Sequence, residues 1–388
     1  MYSMIKTETC INLFDYLVIL GLLLASGTTY FYMLHAGVTL LSVLGLSFIY
    51  ALKRGSVTRP TNSFLVIYSI LIVICYLRYG GDMNLLGDVI LLVSTYLVTS
   101  SISFRTFRYA FFNVIFVLAI ISFSFQIAYW LDFIQPALVN KSDSNLYGFY
   151  LFAFHTFGGG KWGLNQHLSG LFWEPGVYQM ALNMALIMNC HILSLPVRFI
   201  GKTDLTKYAV IVLAVVLTMS TTGYLTLGVI IIGILLKKSK KNIVWGIMLI
   251  LSILVFILVI KNSKVVAGKF SDDSGSFLVR ANDTICLINI ITENPFFGSG
   301  VYSKTFFSLG DKYGLTGAAS NGILLQIAQF GLLFGISFFW SLSREYEKRH
   351  LPISKMLYIM VVLFLCIGEP LVYAPLILIA VLPFKKYD

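Results

Sequence analysis

The chain has 388 residues, of which 58% are hydrophobic and only 12% are charged, and its mean hydropathy is +0.85. Because soluble domains carry about a quarter charged residues, this composition excludes an ordinary soluble protein. The net charge of +11 does not indicate a nucleic-acid partner, because most Lys and Arg residues stand in short clusters between apolar runs, where they act as topology signals.

Long apolar runs follow one another along the chain. They predict an all-α polytopic membrane protein, a single membrane domain over residues 1–388, rather than a β-barrel. The runs cover residues 11–26, 31–52, 63–79, 85–104, 109–131, 175–195, 208–236, 243–260, 321–342 and 355–384. No small-residue cleavage site follows the first run, which we therefore interpret as an uncleaved span. Basic clusters at Lys53–Arg59 and at Arg105 and Arg108 place the loops after the second and fourth runs, and the N-terminus, in the cytoplasm.

Two of these runs have basic residues at both ends, which places both ends in the cytoplasm. Residues 208–236 then form a hairpin that turns at Ser220–Gly223, and residues 355–384 form a second hairpin that turns at Glu369. A single long, tilted helix is the alternative for each run. With two short hairpins the chain has about twelve helical segments, both termini lie in the cytoplasm, and every basic cluster in a short loop lies on one side.

Two long loops lie on the outer side in this topology. Residues 132–173 form the first, which mixes charged residues with aromatic residues and glycines. Loops of this length in a compact protein are usually functional or disordered, and the aromatic content argues against disorder. Residues 261–320 form the second outer loop, which is basic and contains a helix-like stretch, Ala281–Thr292, that we expect on the membrane surface.

Glu174 stands at the outer mouth of the run over residues 175–195. Pro175 suits the first helical turn, where its missing N–H costs nothing. Glu174 then lies beside the positive end of the helix dipole, which favours its ionised form. The simple alternative is that Glu174 only caps the helix. A functional role is favoured because both long outer loops share this side of the membrane.

The cations on the outer side are candidates for binding an anionic ligand. Arg280, just before the helix-like stretch, suits planar, bidentate capture of phosphate oxygens, and a lipid diphosphate is the natural ligand at such a surface. Lys161 and Lys269 in the two long loops and Arg78 at an outer turn are further candidates. For each lysine the alternative is a solvated loop residue, since long loops largely escape the positive-inside rule.

The outer loops also hold candidates for proton transfer and sugar binding. His155 and His167 can each act as a general base near neutral pH or serve as ordinary hydrogen-bonded loop residues. Aromatic residues such as Trp173 suit stacking on sugar rings, although a membrane-interface belt is their commoner use. The five cysteines are scattered, and no HExxH, phosphate-loop, GxSxG or dinucleotide motif occurs, so we expect no metal and no cofactor.

Four short stretches within residues 165–345 resemble the O-antigen polymerase (Wzy) family, part of a superfamily that also includes the O-antigen ligases. They are Gly170–Gly176, with a Gly-x-x-x-Glu-Pro motif; Ser220–Tyr224, the Ser-rich tip of a short hairpin; Arg280–Gly300, an arginine, a helix and an Asn-Pro-x-x-Gly-x-Gly pattern; and Ser320–Gly335, the return helix that includes Asn321. The first third of the chain is similar only in hydropathy. One departure separates the two activities: ligases carry a His directly before the Asn, and this chain has Ser320 there, which favours a polymerase.

The resemblance implies a glycosyltransferase of lipopolysaccharide biosynthesis in the bacterial inner membrane, with its site facing the periplasm. It would transfer a growing glycan from undecaprenyl diphosphate onto a sugar hydroxyl of an incoming lipid-linked repeat unit, without a metal or a nucleotide sugar. Arg280, helped by Lys269 and Arg78, would stabilise the leaving diphosphate, and Glu174 or His167 would take the proton from the hydroxyl. The other substrate-binding candidates are Lys161, Asn321 and Trp173.

The implied partners are the lipid bilayer, lipid-linked oligosaccharide and polysaccharide, a chain-length regulator and a flippase. The nearest alternative is a ligase that joins glycan to lipid A core. A rival of another class is a flippase for lipid-linked oligosaccharides, which predicts functional charges within the spans and inverted repeats. The polar residues of this chain lie mainly in its outer loops, and no internal repeat is evident.

Overall fold

A computed structural model describes residues 11–29, 31, 36–54, 62–80, 83–134, 138–139, 146–149, 154–157, 167–195, 200–239, 275–315, 319 and 321–386. The described part of the chain is mostly helical. Its helices are α1 Leu13–Leu24, α2 Ala36–Arg54, α3 Ser63–Tyr79, α4 Met83–Thr99, α5 Phe104–Trp130, α6 Pro175–Met188, α7 Cys190–Leu193, α8 Lys202–Leu217, α9 Thr221–Ser239, α10 Gly275–Glu293, α11 Lys304–Tyr313, α12 Gly322–Phe330, α13 Leu332–Arg349, α14 Lys355–Gly368 and α15 Pro375–Val381. The predicted span over residues 243–260 lies outside the described residues.

Three of these helices are long and apolar enough to cross a membrane. They cover Ala36–Arg54, Phe104–Tyr129 and Thr221–Lys238, and the shorter apolar helices α1, α3, α4 and α14 accompany them. This confirms the helical, multi-pass membrane class. The count of about twelve segments, which depends on the positive-inside rule, stays a prediction.

Asp15, the charged residue of the first apolar run, has partners inside the helix bundle. Asp15 is fully buried, and its carboxylate accepts a hydrogen bond of 2.6 Å from the Tyr50 hydroxyl and forms an ion pair with Arg54. Both partners lie at the end of α2. Because a buried charge needs a partner, this contact holds α1 against α2 at the end that the basic clusters predict to face the cytoplasm.

Residues 208–236 form two helices that run in opposite directions, as the hairpin interpretation predicts. The chain breaks at residues 218–220, where Met219 adopts a φ of 50°. Tyr208, in the first half of α8, donates to the backbone oxygen of Asn189, and α9 packs against both α8 and the short helix α7, which begins at Cys190. Both basic ends therefore meet at one place, which excludes a single long helix.

Residues 355–384 also form a hairpin. Arg349 is buried and donates hydrogen bonds to the Tyr358 hydroxyl near the start of α14 (3.0 Å) and to the backbone oxygen of Ile379 near the end of α15 (2.6 Å). The turn between the two helices, around Glu369, lies at their other ends. One arginine thus joins the two basic ends of this hairpin.

The predicted return helix over residues 321–342 is broken, which corrects the single-span interpretation. Gly331, with a φ of 88°, separates α12 from α13. The loop Asn294–Gly300 docks at the break: the Leu332 N–H donates to Pro295 (2.7 Å) and the Gly300 N–H to Gln329 (3.0 Å).

Glycine is required at this break because the two backbones touch. A Cβ on Gly331 would lie 2.1 Å from the Phe296 oxygen, and one on Gly298 would lie 2.3 Å from the Gln329 backbone. The glycines in the Asn-Pro-x-x-Gly-x-Gly pattern therefore serve packing: they allow the loop after α10 to satisfy backbone groups that the helix break frees.

The first long loop contains a small sheet that the all-α prediction omits. Strands β1 Leu138–Val139, β2 Leu146–Phe149, β3 Phe154–Phe157 and β4 His167–Gly170 pair antiparallel in sequential order. Their residues are largely aromatic and apolar, which suits strands, but runs of two to four residues are too short for a period of two to be recognised. β4 packs against α5, α6 and α8, and β3 also contacts α5, so the sheet is attached to the helices mainly through its last strand.

Candidate functional site

Several segments that are distant in sequence meet at one end of the helices. The stretch before α6 runs beside the end of α1: Phe172 bridges to Thr28, the Thr29 N–H donates to Leu171 (3.1 Å), and the Trp173 N–H donates to Gly27 (3.2 Å). These backbone hydrogen bonds fix the chain immediately before Glu174. Trp173, a predicted sugar-binding residue, is half-buried here.

Glu174 occupies the N-cap position of α6 with Pro175 in the first turn, as predicted. Its backbone oxygen accepts the N–H groups of Val177 and Tyr178, but its side chain makes no capping hydrogen bond. Because a capping acid works by accepting such a bond, the simple alternative of a purely capping role has no support. The side chain is half-buried.

A polar face of α6 anchors the tip of the α8–α9 hairpin. Gln179 and Asn183 are fully buried, and the Asn183 amide donates to Gln179 (3.0 Å) and to the backbone oxygen of Gly223 (3.3 Å). The Gln179 amide donates to the Thr222 hydroxyl at 3.4 Å. Since buried amides need partners, these contacts hold the hairpin tip against the first turns of α6.

His167 reaches the same hairpin tip from the sheet. Its Nδ1 lies 3.2 Å from the backbone oxygen of Thr218. A carbonyl only accepts hydrogen bonds, so Nδ1 carries the proton in this contact and Nε2 is the basic nitrogen of the neutral ring. The structure therefore brings the predicted base His167 to the tip that α6 holds. The side chain of His155, on β3, lies outside the described residues.

The turn of the second hairpin places Glu369 directly against α6. Glu369 is only 7% exposed, and a Cβ added to Gly176 would lie 1.6 Å from its Oε1. A Cβ on Gly322, the first residue of α12, would lie 2.3 Å from the backbone oxygen of Glu369, and one on Gly368 would lie 3.1 Å from the Thr222 hydroxyl. Glycine at each position lets α6, α9, α12 and this turn approach one another closely.

Three ionisable groups interact at this point. Burial raises the pKa of Glu369 well above the usual range of a carboxyl group, the negative charge of Glu174 raises it further, and the positive charge of Arg280 opposes both effects. Two predicted residues, Glu174 and Arg280, are therefore close enough to act electrostatically on the same buried carboxyl group. Arg280 itself is exposed on α10, where its guanidinium is available to a ligand.

Arg78 lies elsewhere. Its guanidinium stacks on the Tyr79 ring at 5.3 Å, and the Tyr79 hydroxyl donates to Gly298 at 2.8 Å, in the loop that follows α10. That loop begins at Asn294, 14 residues after Arg280, or about 21 Å along a helix. Arg78 therefore lies beside the loop that follows α10, whereas Arg280 lies in the first half of that helix.

Asn321 has a clear structural role. Its side chain is buried and caps α12 by accepting the Leu324 N–H at 3.2 Å. It still begins the helix that touches the backbone of Glu369. The other predicted cations, Lys161 and Lys269, and the discriminating Ser320 lie outside the described residues.

Glu369 is the residue that the sequence interpretation placed at a hairpin tip without including it in the site. Its signal is a repeated dipeptide, because Glu174-Pro175 and Glu369-Pro370 both stand at turns on the predicted outer side. Among the described residues, no group of three or more His, Cys, Asp or Glu side chains is arranged to hold a metal ion.

Comparison with known protein families identifies one region of the chain. Residues 208–339 match the family described as O-antigen ligase. This match supports the O-antigen ligase and polymerase superfamily for that part of the chain. Members of this superfamily are membrane enzymes of a glycosyltransferase-like or ligase class that act on lipid-linked polysaccharides. No curated protein and no solved structure matches the chain.

The superfamily match includes only part of the site. It contains the α8–α9 tip, Arg280 and Asn321, whereas Glu174 precedes it and Glu369 follows it. The two carboxyl groups are thus joined to the superfamily region by the contacts at Gly176, Gly322 and Gly368.

The contact between Gly176 and Glu369 predicts a local effect of Gly176→Ala. The added methyl group has no room, so it should displace the Glu369 carboxyl group and lower glycan-forming activity by about tenfold or more, while the protein still inserts. Gly45→Ala is the matched control, because a Cβ there meets nothing within 4 Å. The measurement for both variants is glycan yield per amount of membrane-inserted protein. Equal yields from Gly176→Ala and Gly45→Ala would show that activity does not depend on the contact between Gly176 and Glu369.

Proposed function

We propose that this protein is a member of that superfamily and acts as a polysaccharide polymerase. It transfers a growing glycan from undecaprenyl diphosphate onto a sugar hydroxyl of an incoming lipid-linked repeat unit. The reaction takes place at the periplasmic face of the bacterial inner membrane. The observation that carries the proposal is the meeting of Glu174, Glu369 and Arg280 at one end of the helix bundle.

The charges at this site suit the chemistry of a diphosphate leaving group. In the transfer, the acceptor oxygen forms a bond to the anomeric carbon, the bond from that carbon to the diphosphate oxygen breaks, and negative charge develops on the diphosphate. The exposed guanidinium of Arg280 can pair with two phosphate oxygens at once and stabilise that charge without a metal. Lys269 is a further proposed contact in the same segment.

The acceptor hydroxyl must lose a proton during the transfer. Glu174 is the proposed base, because its carboxylate stands at the mouth of α6 and makes no capping bond. His167 is the second candidate, through its Nε2. Trp173, Lys161 and Asn321 are proposed to line the sugar- and diphosphate-binding surface, with Asn321 at the start of α12.

A polymerase is favoured over a ligase by one residue. Ser320 stands directly before Asn321, where the ligases carry a histidine. Without that histidine the site must take its base from elsewhere, and Glu174 and His167 are available. A flippase that delivers repeat units and a regulator of chain length are the proposed partners.

The glycan of a deletion strain tests this proposal. We expect loss of the gene to leave lipid A core that carries a single repeat unit, and the wild-type gene to restore long chains. Lipid-linked polymer that never reaches the core would identify a ligase, and a failure to export repeat units would identify a flippase. Either result would reject the polymerase proposal.

A further inference from the structure

Glu369 is an acidic residue buried close to the site proposed to bind a diphosphate, where positive charge would favour the ligand. Its carboxyl oxygen lies against the backbone of Gly176, two residues after Glu174, and its own backbone lies against Gly322 at the start of α12. Its packing therefore fixes it between the helix that carries the proposed base and the helix that follows the second loop.

The charged groups that act on Glu369 come from two elements. Glu174 approaches from the start of α6 and Arg280 from α10. Asp283 lies one turn after Arg280 and is buried on α10, and His167 contacts the α8–α9 tip at Thr218. Among the described residues, Thr222 and the backbone at Gly176 and Gly322 also lie against the Glu369 turn, and these groups are uncharged.

Two nearby carboxyl groups, one of them buried, resist simultaneous ionisation. Each negative charge disfavours the other, so one group keeps its proton over a wide pH range. A second negative charge beside Arg280 would also compete with the diphosphate for the guanidinium. Burial disfavours ionisation most strongly at Glu369, which is more enclosed than Glu174.

We propose that Glu369 is a positioning residue that keeps a proton in the resting site, so that Glu174 alone carries the negative charge of the pair and Arg280 stays available for a diphosphate. This inference rests on the proposed function only in taking a lipid diphosphate as the ligand. It assigns the two carboxyl groups different states: Glu174 is ionised, and Glu369 is a neutral acid that loses its proton only in alkaline solution.

Diphosphate binding as a function of pH tests the proposal directly. The purified, full-length protein in detergent is titrated with farnesyl diphosphate, a short polyprenyl diphosphate, between about pH 6 and about pH 10. Wild type should lose roughly tenfold or more in affinity at the alkaline end, as Glu369 becomes charged. Glu369→Gln should bind as well as wild type at neutral pH and should not show this alkaline loss.

Two further variants make the result specific. Asp88→Asn removes another buried carboxyl group, on α4 and outside the site, and should keep the wild-type pH profile. Glu174→Gln removes the repulsion that favours the proton on Glu369, so its alkaline loss should begin at lower pH. This second variant tests the coupling even if Glu369→Gln does not fold.

The proposal is overturned if Glu369→Gln and wild type show the same pH profile, if Asp88→Asn also removes the alkaline loss, or if Glu174→Gln leaves the profile in place. A role for Glu369 in packing alone would change affinity equally at every pH. Because binding does not require polymerisation, a ligase result in the deletion strain would reject the polymerase and leave this inference standing. If Glu369→Gln kept the pH profile of wild type, the inference about Glu369 would be rejected and the polymerase proposal would stand.

Discussion

Arg280→Ala is expected to abolish long glycan chains while the protein still inserts into the membrane. The side chain is exposed and its removal leaves no cavity, so the loss should be one of function rather than of folding. Removing a donor that stabilises developing negative charge typically costs two to three orders of magnitude in rate. A gel profile of the glycan, normalised to protein in the membrane, measures the effect.

Lys304→Ala is the matched control for Arg280→Ala. Lys304 is an exposed cation in the same segment, at the start of α11, and its removal should leave the chain-length distribution unchanged. Arg280→Lys retains the charge but loses the planar pair of donors, so intermediate activity is expected. A wild-type distribution of chain lengths in Arg280→Ala would reject the assignment of Arg280.

Glu174→Gln is expected to have a similar effect through a different step. The amide has nearly the same shape as the carboxylate, and the native side chain makes no capping bond that the change would remove. The loss of a general base typically lowers the rate by about two to four orders of magnitude. We therefore expect core with single repeat units in the complemented deletion strain, as for complete loss of the enzyme.

Glu293→Gln is the control for a lost carboxylate. Glu293 is exposed, at the end of α10, and its partners are Lys312 and Tyr313, so chain length should not depend on it. If Glu174→Gln still made long chains at wild-type rates, Glu174 would not be the base, and His167 would be the remaining candidate among the described residues.

The fold was predictable where charge decides it. Lysines at both ends of residues 208–236 and residues 355–384 predicted two hairpins. The hydrogen bonds of Tyr208 and Arg349 and the packing of α9 against α7 confirm that the helix ends meet. The break at Gly331 was not predictable, because its cause is a backbone contact with Phe296, more than thirty residues away in the sequence. Apolar periodicity alone predicts one continuous helix across such a glycine.

In the site, too, features set by neighbouring residues were predictable and contacts between distant residues were not. Proline after Glu174 gave the helix start, and the pattern after Arg280 gave a helix in the second loop. Glu369 was missed because only folding brings it to Gly176. For Arg78, the outer turn predicts the side of the membrane but not the position within that side, and the structure places the neighbouring Tyr79 against the loop after α10.

The close approaches at Gly176, Gly322 and Gly368 have a consequence for how related enzymes diversify. A side chain added at Gly322 would collide with the backbone of Glu369, and one added at Gly176 or Gly368 would press on the Glu369 carboxyl group or the Thr222 side chain. Evolution of a new repeat unit is therefore constrained around the diphosphate, which all donors share. The strands β1–β4, attached mainly through β4, are free of these particular constraints, so we expect lineages that make different sugars to diverge first in residues 132–173.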